Sequence, residues 1–343
     1  MSKTGSILQI VPLATQWPTI DPFLFCAHHL DDYPAGDDRH GPAASLTGRN
    51  IGQDFAGVDG WNMYHGSSVP GFPQHPHRGF ETISVVRQGL MDHSDSLGAT
   101  ARFGAGDVQW MTAGAGIVHS EMFPLLSQDS GNSLEMFQVW LNLPRAQKMV
   151  KPYFTMLWSE DIPRVHVPGV EITIAAGRIG DYVPPAPPPD SWASRPDSDV
   201  AVWHLRFDAG ARFTLPPAAY ADTGRVLYIY RGGGLTIDGQ VIDARNGVVL
   251  KADEAVEIIA GSGSETDCVM LQGRPIGEPV AQYGPFVLND RAGIDQAFRD
   301  YERTRFGGWP WPTDDPVHGS DPTRFASHVD GRVETPSQRE GAS

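Results

Sequence analysis

His75-Pro76-His77 and His119-Ser120-Glu121 bound the stretch of sequence that decides the fold of this chain. In each triplet the outer two side chains are two residues apart, and in a β-strand such residues project from the same face. Between the triplets lie two segments of alternating apolar and polar residues, 82–87 and 100–103, with a turn-forming sequence at 95–98. This pattern predicts a strand, a hairpin and a returning strand, which would bring the two triplets together across a sheet.

The two triplets supply three imidazole nitrogens and one carboxylate oxygen. This set of donors suits iron, manganese, nickel, cobalt, copper or zinc, and it suits calcium or magnesium poorly. A single histidine in an apolar strand is more often a packed core residue, but two such pairs in one antiparallel unit favour a metal site. We therefore predict that His75, His77, His119 and Glu121 hold one divalent transition metal ion.

The composition favours many short strands and turns over long helices. The chain has 343 residues, which is more than one core usually serves, so two domains are expected. It contains 38 glycines and 29 prolines, and 40% of its residues are hydrophobic. These features together predict an all-β architecture with sizeable apolar cores.

Charge and cysteine content exclude several classes of function. The net charge of −15, from 41 acidic and 26 basic residues, would repel a phosphate backbone, so we expect no direct binding of nucleic acid. The two cysteines, Cys26 and Cys268, argue against a disulfide framework and are compatible with a reducing cytoplasm. We expect a soluble cytoplasmic protein, because no apolar run approaches the length of a membrane span and no export signal follows the first residues.

The second half of the chain repeats the strand rhythm of the first without its paired histidines. From residue 200 to 271 short apolar strands recur at roughly regular spacing, and His204 is the one histidine among them. This predicts a duplicated fold whose second copy lacks the metal. We expect a metal-binding domain at 1–183, a proline-rich linker or insertion at 184–198, and a domain without metal at 199–310.

The end of the chain contains the one predicted helix and a polar tail. Apolar residues recur at helical spacing within residues 290–306, at Ile294, Ala297, Phe298 and Tyr301. Residues 311–343 are polar and rich in proline, so we expect a poorly ordered or surface-bound tail.

Three segments resemble the signature sequences of the pirin family, in the cupin superfamily. They are residues 75–82, 106–114 and 116–122. The resemblance extends to about residue 310 and implies a bicupin, in which two β-barrel (jelly-roll) domains lie face to face and the N-terminal one holds a single non-haem iron. The chain differs from shorter pirins in its long loop at 31–66, its proline-rich insertion and its tail.

Position by position, the resemblance implies the same four metal ligands that the residue spacing predicts. The general cupin pattern instead places an acidic ligand shortly after the first histidine pair, which makes Glu81 the alternative ligand. The metal would be Fe²⁺, with nickel, manganese, cobalt, copper or zinc as alternatives.

The resemblance implies one of two functions. Several pirin-like proteins resemble quercetin 2,3-dioxygenase, so the chain would be a dioxygenase that uses O₂ to open a flavonol or a similar aromatic substrate. In that role Glu121 or Glu81 would accept the proton of the substrate hydroxyl. The candidate pocket residues are Phe80, Trp110, Met111 and Met122.

Pirins are also known as transcriptional co-regulators, so the second function is a non-catalytic, metal- or redox-responsive regulator that acts through a protein partner. A bicupin that uses its metal only for stability is a third reading. Closed structural zinc sites favour cysteine ligands, and the motif contains none.

Overall fold

The structure is a computed structural model that describes residues 5–336. The strands are β1 (Ile7–Pro12), β2 (Phe23–Tyr33), β3 (Gly71–His77), β4 (Phe80–Gln88), β5 (Leu90–Asp95), β6 (Thr100–Gly104), β7 (Asp107–Thr112), β8 (Ile117–Met122), β9 (Asn132–Asn142), β10 (Tyr153–Leu157), β11 (Arg164–Val167), β12 (Val170–Ala176), β13 (Ala201–Phe207), β14 (Arg212–Leu215), β15 (Gly224–Gly232), β16 (Leu235–Ile237), β17 (Gln240–Ile242), β18 (Asn246–Leu250), β19 (Val256–Ala260), β20 (Thr266–Gly273), β21 (Ala281–Tyr283), β22 (Phe286–Leu288), β23 (Phe325–Ser327) and β24 (Val333–Glu334). The α-helix is α1 (Arg291–Thr304), and short 3-10 helices cover Val58–Gly60, Arg145–Gln147, Trp192–Ser194 and Arg305–Gly307. The predicted all-β architecture with a C-terminal helix is confirmed.

The chain forms two compact units, each discontinuous in sequence. Unit 1 comprises the described part of Met1–Ala27, then Val139–Pro144 and Asp161–Gly277. Unit 2 comprises His28–Gln138, Arg145–Glu160 and the described part of Glu278–Ser343. Residues 184–198, predicted as a linker or insertion, therefore lie inside unit 1.

Unit 2 contains the sheet that carries the paired histidines. This six-stranded sheet has the order β24-β23-β6-β5-β8-β3, and a five-stranded sheet has the order β10-β7-β4-β9-β2. Apolar side chains from both sheets form one buried core, to which Met91, Phe103, Met111 and Met136 belong. Burial of such side chains stabilises a unit by roughly 1.5–3 kcal/mol each.

Unit 1 has a seven-stranded sheet of order β1-β18-β15-β20-β13-β12-β11 and a four-stranded sheet of order β14-β19-β16-β17. Alternate residues of its strands face one apolar core, as the period of two in a strand requires. Strand β13 shows this pattern, since Trp203, Leu205 and Phe207 all belong to that core.

The helix α1 begins where its sequence provides a cap. The side chain of Asp290 accepts a hydrogen bond from the backbone N–H of Gly293, which satisfies one free donor at the helix start. Ile294 and Ala297 are buried, and Phe298 and Tyr301 pack against the same small core. The four residues predicted from helical spacing therefore form the packed face.

Residues 311–336 of the polar tail bind to the surface of unit 2. Strand β23 pairs with β6, and so occupies a sheet edge that would otherwise expose unpaired N–H and C=O groups. Arg324 forms ion pairs with Asp107, at 2.7 Å, and with Glu160. Of the two expectations for the tail, the structure shows the surface-bound one; residues 337–343 lie outside the described residues. Across residues 5–336 there is no helix with the length and apolar character that a bilayer crossing requires.

Candidate metal centre

Strands β3 and β8 bring the paired histidines together. They pair antiparallel, and His75 lies directly opposite His119 in the register. His77 follows His75 by two residues and projects from the same face. One ring nitrogen from each of these three histidines lies within 4.8 Å of the others. The three imidazoles could therefore hold a single metal ion.

His75 and His119 each have a ring nitrogen whose lone pair is available to a metal. The Nδ1 atom of His75 lies 2.8 Å from the carbonyl oxygen of Pro73. A carbonyl only accepts, so Nδ1 carries the proton and the Nε2 lone pair is available. Both ring nitrogens of His119 are buried and have no hydrogen-bond partner among the described residues. A buried polar nitrogen without a partner is costly, and coordination of a metal would remove that cost.

Burial also sets the protonation state of the three imidazoles. Desolvation is the largest influence on each of them, and it lowers the pKa of His75 and places those of His77 and His119 well below the ordinary value. The neighbouring histidine charges lower the pKa of His77 and His119 further. All three are therefore neutral at pH 7, and neutral imidazole is the form that binds metals.

Glu121 lies beside the histidine cluster. It follows His119 by two residues on β8, and its Oε2 atom is 3.9 Å from Nε2 of His119. Oε1 accepts a hydrogen bond of 2.9 Å from the Ser84 hydroxyl, and the Gln138 amide donates to both carboxylate oxygens at 3.0 Å. Because Ser84 and Gln138 belong to β4 and β9, the carboxylate is held from the sheet that faces β8. Its Oε2 atom retains lone pairs for a metal or a proton.

Glu81, the alternative ligand, is not brought to this cluster. It lies three residues before Ser84 on β4, so the two side chains project from opposite faces of the strand. Its Oε1 atom accepts a hydrogen bond of 2.6 Å from the Thr112 hydroxyl, and its Oε2 atom accepts one of 3.2 Å from the Trp110 indole.

The four candidate pocket residues divide between the two faces of their strands. Phe80 shares the face of Ser84, and its ring centroid lies 5.0 Å from that of His77. Met111 also faces the core of unit 2. Trp110 is on the opposite face, with Glu81. Met122 is next to Glu121 in sequence and therefore points away from it, although it is fully buried.

Two buried side chains near the cluster were missed by the sequence reasoning. His93 on β5 lies opposite Glu121 on β8, and its ring centroid is 5.5 Å from that of His119. Gln109 on β7 lies opposite Ser84, and its amide nitrogen is buried without a hydrogen-bond partner among residues 5–336. A spacing signal existed for His93, because Asp95 follows it by two residues as Glu121 follows His119.

Tyr64, in the long segment between β2 and β3, forms a buried hydrogen-bonded group with Asp31 and His29 of β2. The Tyr64 hydroxyl donates to Oδ2 of Asp31 at 2.6 Å and lies 2.9 Å from Nδ1 of His29. Burial is the largest influence on Asp31 and raises its pKa to about 6. The Tyr64 ring lies 5.1 Å from that of Phe72, which in turn lies 6.4 Å from that of His75. Tyr64 therefore packs against an aromatic neighbour of the histidine cluster.

Comparison with known proteins points to one family. A family model described as Pirin matches residues 44–141, and a second, Pirin C-terminal cupin domain, matches residues 202–307. A Pseudomonas aeruginosa protein named "Putative quercetin 2,3-dioxygenase" is 39% identical over 240 residues, which cover 69% of this chain and 79% of that protein. Pirin from Homo sapiens is 33% identical over 255 residues, which cover 72% of this chain and 81% of that protein.

Solved structures show a similar fold. The crystal structure of a quercetin 2,3-dioxygenase from Acinetobacter baumannii has a TM-score of 0.70 and 24% identity. The match covers 89% of this chain and 99% of that one. At this level of identity the likeness concerns the fold alone.

Proposed function

Because the chain belongs to the pirin family, we propose that it is a metal-dependent dioxygenase of the quercetin 2,3-dioxygenase type. His75, His77, His119 and Glu121 would hold one divalent ion, with Fe²⁺ as the first candidate. The observation that carries the proposal is the convergence of three neutral imidazoles, two of them buried and that of His75 half-buried, beside a carboxylate with a free oxygen lone pair. The name of the Pseudomonas aeruginosa relative supports the choice of reaction.

The donor set of three imidazoles and one carboxylate fits a transition metal better than it fits calcium or magnesium. Three nitrogens and one oxygen leave one or two coordination positions open on a five- or six-coordinate ion. The unpartnered ring nitrogens of His119 support this fit, since they have no role in the hydrogen bonding of the protein itself. The ion would supply Lewis acidity toward the hydroxyl and keto oxygens of a flavonol and a position for O₂.

The protein's own residues would hold and move the substrate proton. We propose that Oε2 of Glu121 accepts the proton of the flavonol 3-hydroxyl, because it is the carboxylate oxygen with one hydrogen bond, whereas Oε1 has two. Ser84 and Gln138 would keep the carboxylate in position. The buried amide of Gln109 would donate to a substrate oxygen. The net reaction converts one flavonol and one O₂ into the ring-opened ester and one carbon monoxide.

A matched pair of variants tests this proposal. The purified protein is loaded anaerobically with Fe²⁺, Mn²⁺, Co²⁺, Ni²⁺ or Cu²⁺, and loss of flavonol absorbance, O₂ uptake and carbon monoxide are then measured. Glu121→Gln should lower turnover by at least about a hundredfold, the usual range for loss of a catalytic base. Glu81→Gln is the control. Glu81 is as buried as Glu121, but it projects from the face of β4 opposite to Ser84, which contacts Glu121. This variant should retain most of the turnover if the fold is intact.

Metal binding is measured separately from turnover. His119→Ala should reduce the bound metal well below one ion per chain, whereas His204→Ala, in unit 1, should leave it unchanged. If the metal binds at one ion per chain and no flavonol or catechol is consumed, the dioxygenase proposal is wrong. The metal-responsive regulator would then be the better account. If no transition metal binds, both accounts fail.

A further inference from the structure

Unit 1 contains a cavity that the metal centre does not explain. Its volume is about 630 Å³, and it lies beneath the proline-rich segment 183–187. This volume is within the usual range of about 300–1,000 Å³ for small-molecule sites. Prolines and alanines of segments 183–187 and 216–219, together with Trp203, form apolar walls.

The strand register places two polar side chains in this cavity. Arg225 on β15 lies opposite Gln272 on β20, and Gln272 lies opposite Ala201 on β13. All three residues line the cavity. The residues that follow on the same strand faces belong to the apolar core, namely Leu227, Ile229, Met270, Cys268, Trp203 and Leu205. The apolar core of unit 1 therefore begins next to this polar pair.

Arg225 is a buried cation whose hydrogen bonds go to uncharged groups. Its side chain donates from Nε and Nη2 to the amide oxygen of Gln272, and from Nη1 to the carbonyl of Pro216 at 2.9 Å. Three of the five N–H groups of the guanidinium are thus used. The residue is 1% exposed, and burial lowers its pKa to about 10. The protein therefore bears a desolvation cost that a bound anion would offset.

The nearest acidic group in the cavity wall is already engaged elsewhere. Oδ2 of Asp199 accepts hydrogen bonds from the Ala219 amide at 3.0 Å and the Thr223 hydroxyl at 2.7 Å. Its Oδ1 atom accepts one of 3.1 Å from the Gln272 amide. The charge of Asp199 partly balances that of Arg225, but its hydrogen bonds come from Ala219, Thr223 and Gln272 and not from the guanidinium.

The cavity has an excess of positive charge in an acidic protein. Its lining residues include Arg178, Arg195 and Arg225 and one carboxylate, that of Asp199. Arg195 is paired with Asp197 at 3.3 Å, so the excess charge comes from Arg178 and Arg225. The chain as a whole has a net charge of −15. A local excess of arginine in such a chain favours an anionic ligand, and guanidinium groups bind carboxylates through paired hydrogen bonds.

We propose that this cavity binds a small aromatic carboxylate, with the carboxylate at Arg225 and the ring against Trp203 and the prolines. The apolar walls favour a ligand with an aromatic ring, because a small inorganic anion would leave these walls uncovered. The site is separate from the metal centre and does not depend on the function proposed for it.

The test compares two probes of nearly the same shape, one of them an anion and the other an uncharged amide. Binding of 1-naphthoate and of its uncharged analogue 1-naphthamide is measured by calorimetry with the full-length protein. We expect one naphthoate per chain and at least about tenfold weaker binding of the amide, which lacks the charge that Arg225 would pair with. Equal affinity for the two probes, or no binding of naphthoate, would overturn the proposal.

Three variants locate the site. Arg225→Met should weaken naphthoate binding by at least about tenfold. Arg212→Met is the matched control, because Arg212 is an exposed arginine of the same unit that pairs with Glu257, and its loss should not change the affinity. Ala193→Trp fills the cavity from a partly exposed position of its wall and should abolish binding, which keeps the test decisive if Arg225→Met does not fold. Unchanged binding by Ala193→Trp would show that the ligand lies elsewhere and that the proposal is wrong.

Discussion

Replacing Lys148 by methionine should remove a specific pH dependence of stability. Lys148 is 2% exposed, and its Nζ atom donates to the carbonyl oxygens of Gly79 at 2.8 Å and Val287 at 3.2 Å. Gly79 follows His77 of the histidine cluster by two positions, so this lysine fixes the turn between β3 and β4 through its hydrogen bond to Gly79. Methionine has a similar length and is apolar, which removes the charge while it preserves most of the packing.

The magnitude follows from the lowered pKa of Lys148. Burial lowers this pKa from 10.5 to about 8. Each pKa unit corresponds to about 1.4 kcal/mol, so the charge costs the folded state about 3 kcal/mol at pH 7. Between pH 8 and pH 10.5 the unfolded chain retains a proton on Lys148 that the folded chain has lost. The free energy of unfolding therefore rises with pH in this window, relative to a chain without the lysine.

The assay is urea unfolding at a series of pH values from 7 to 10. The difference in unfolding free energy, wild type minus Lys148→Met, should increase by about 2–3 kcal/mol across this range. Loss of the two hydrogen bonds shifts this difference by an amount that does not depend on pH. Lys151→Met, which removes an exposed lysine nearby, should show no such trend. Parallel pH curves for wild type and Lys148→Met would refute the reasoning.

Three further predictions concern the turn after β3, the tail and the long loop. A Cβ on Gly79 would lie 2.0 Å from a backbone oxygen, so Gly79→Ala should lower the free energy of unfolding in urea by more than about 2 kcal/mol. Gly98 also has a positive φ but has open space around it, so Gly98→Ala should lower that free energy by about 1 kcal/mol. Arg324→Met removes the two ion pairs of Arg324 with Asp107 and Glu160, so limited proteolysis should cut the tail at least several times faster than in the wild type. An unchanged rate would show that strand pairing and the other hydrogen bonds of the tail, such as that of Trp311 to Asp95, are enough to retain it. Tyr64→Phe removes a hydrogen bond that stabilises the ionised form of Asp31, so the pKa of that carboxyl should rise above about 6 in a carbon-13 NMR titration; an unchanged or lower value would contradict the assigned contact.

Residue spacing predicted the pairing of β3 with β8 and favoured Glu121 as the ligand, but it could not place the alternative, Glu81. Residue spacing showed that His75, His77 and His119 could meet, because a strand has a fixed period of two. The same period places Glu81 and Ser84 on opposite faces of β4. Both faces of that strand are buried along most of its length, so hydrophobic alternation could not show which face points toward the histidines.

Contacts between distant parts of the chain account for what the sequence did not reveal. His93 meets the cluster through the register of β5 against β8, and a register is set by packing that no local pattern records. The tail has the composition of a disordered segment, yet Arg324 finds a partner in Asp107, 217 residues earlier. A polar segment is therefore expected to be disordered only if the folded domain offers its charged side chains no partner.

The interleaving of the two units has a consequence for synthesis on the ribosome. Strand β1, at residues Ile7–Pro12, pairs with β18, at Asn246–Leu250. The sheet of unit 1 therefore cannot be completed until more than half of the protein has been synthesised. The sheet of unit 2 is completed later still, because the strand at Phe325–Ser327, which pairs with β6, is synthesised near the end of the chain. A nascent chain of this kind exposes unpaired strand edges for most of translation, and it should therefore depend on chaperones that shield such edges until release.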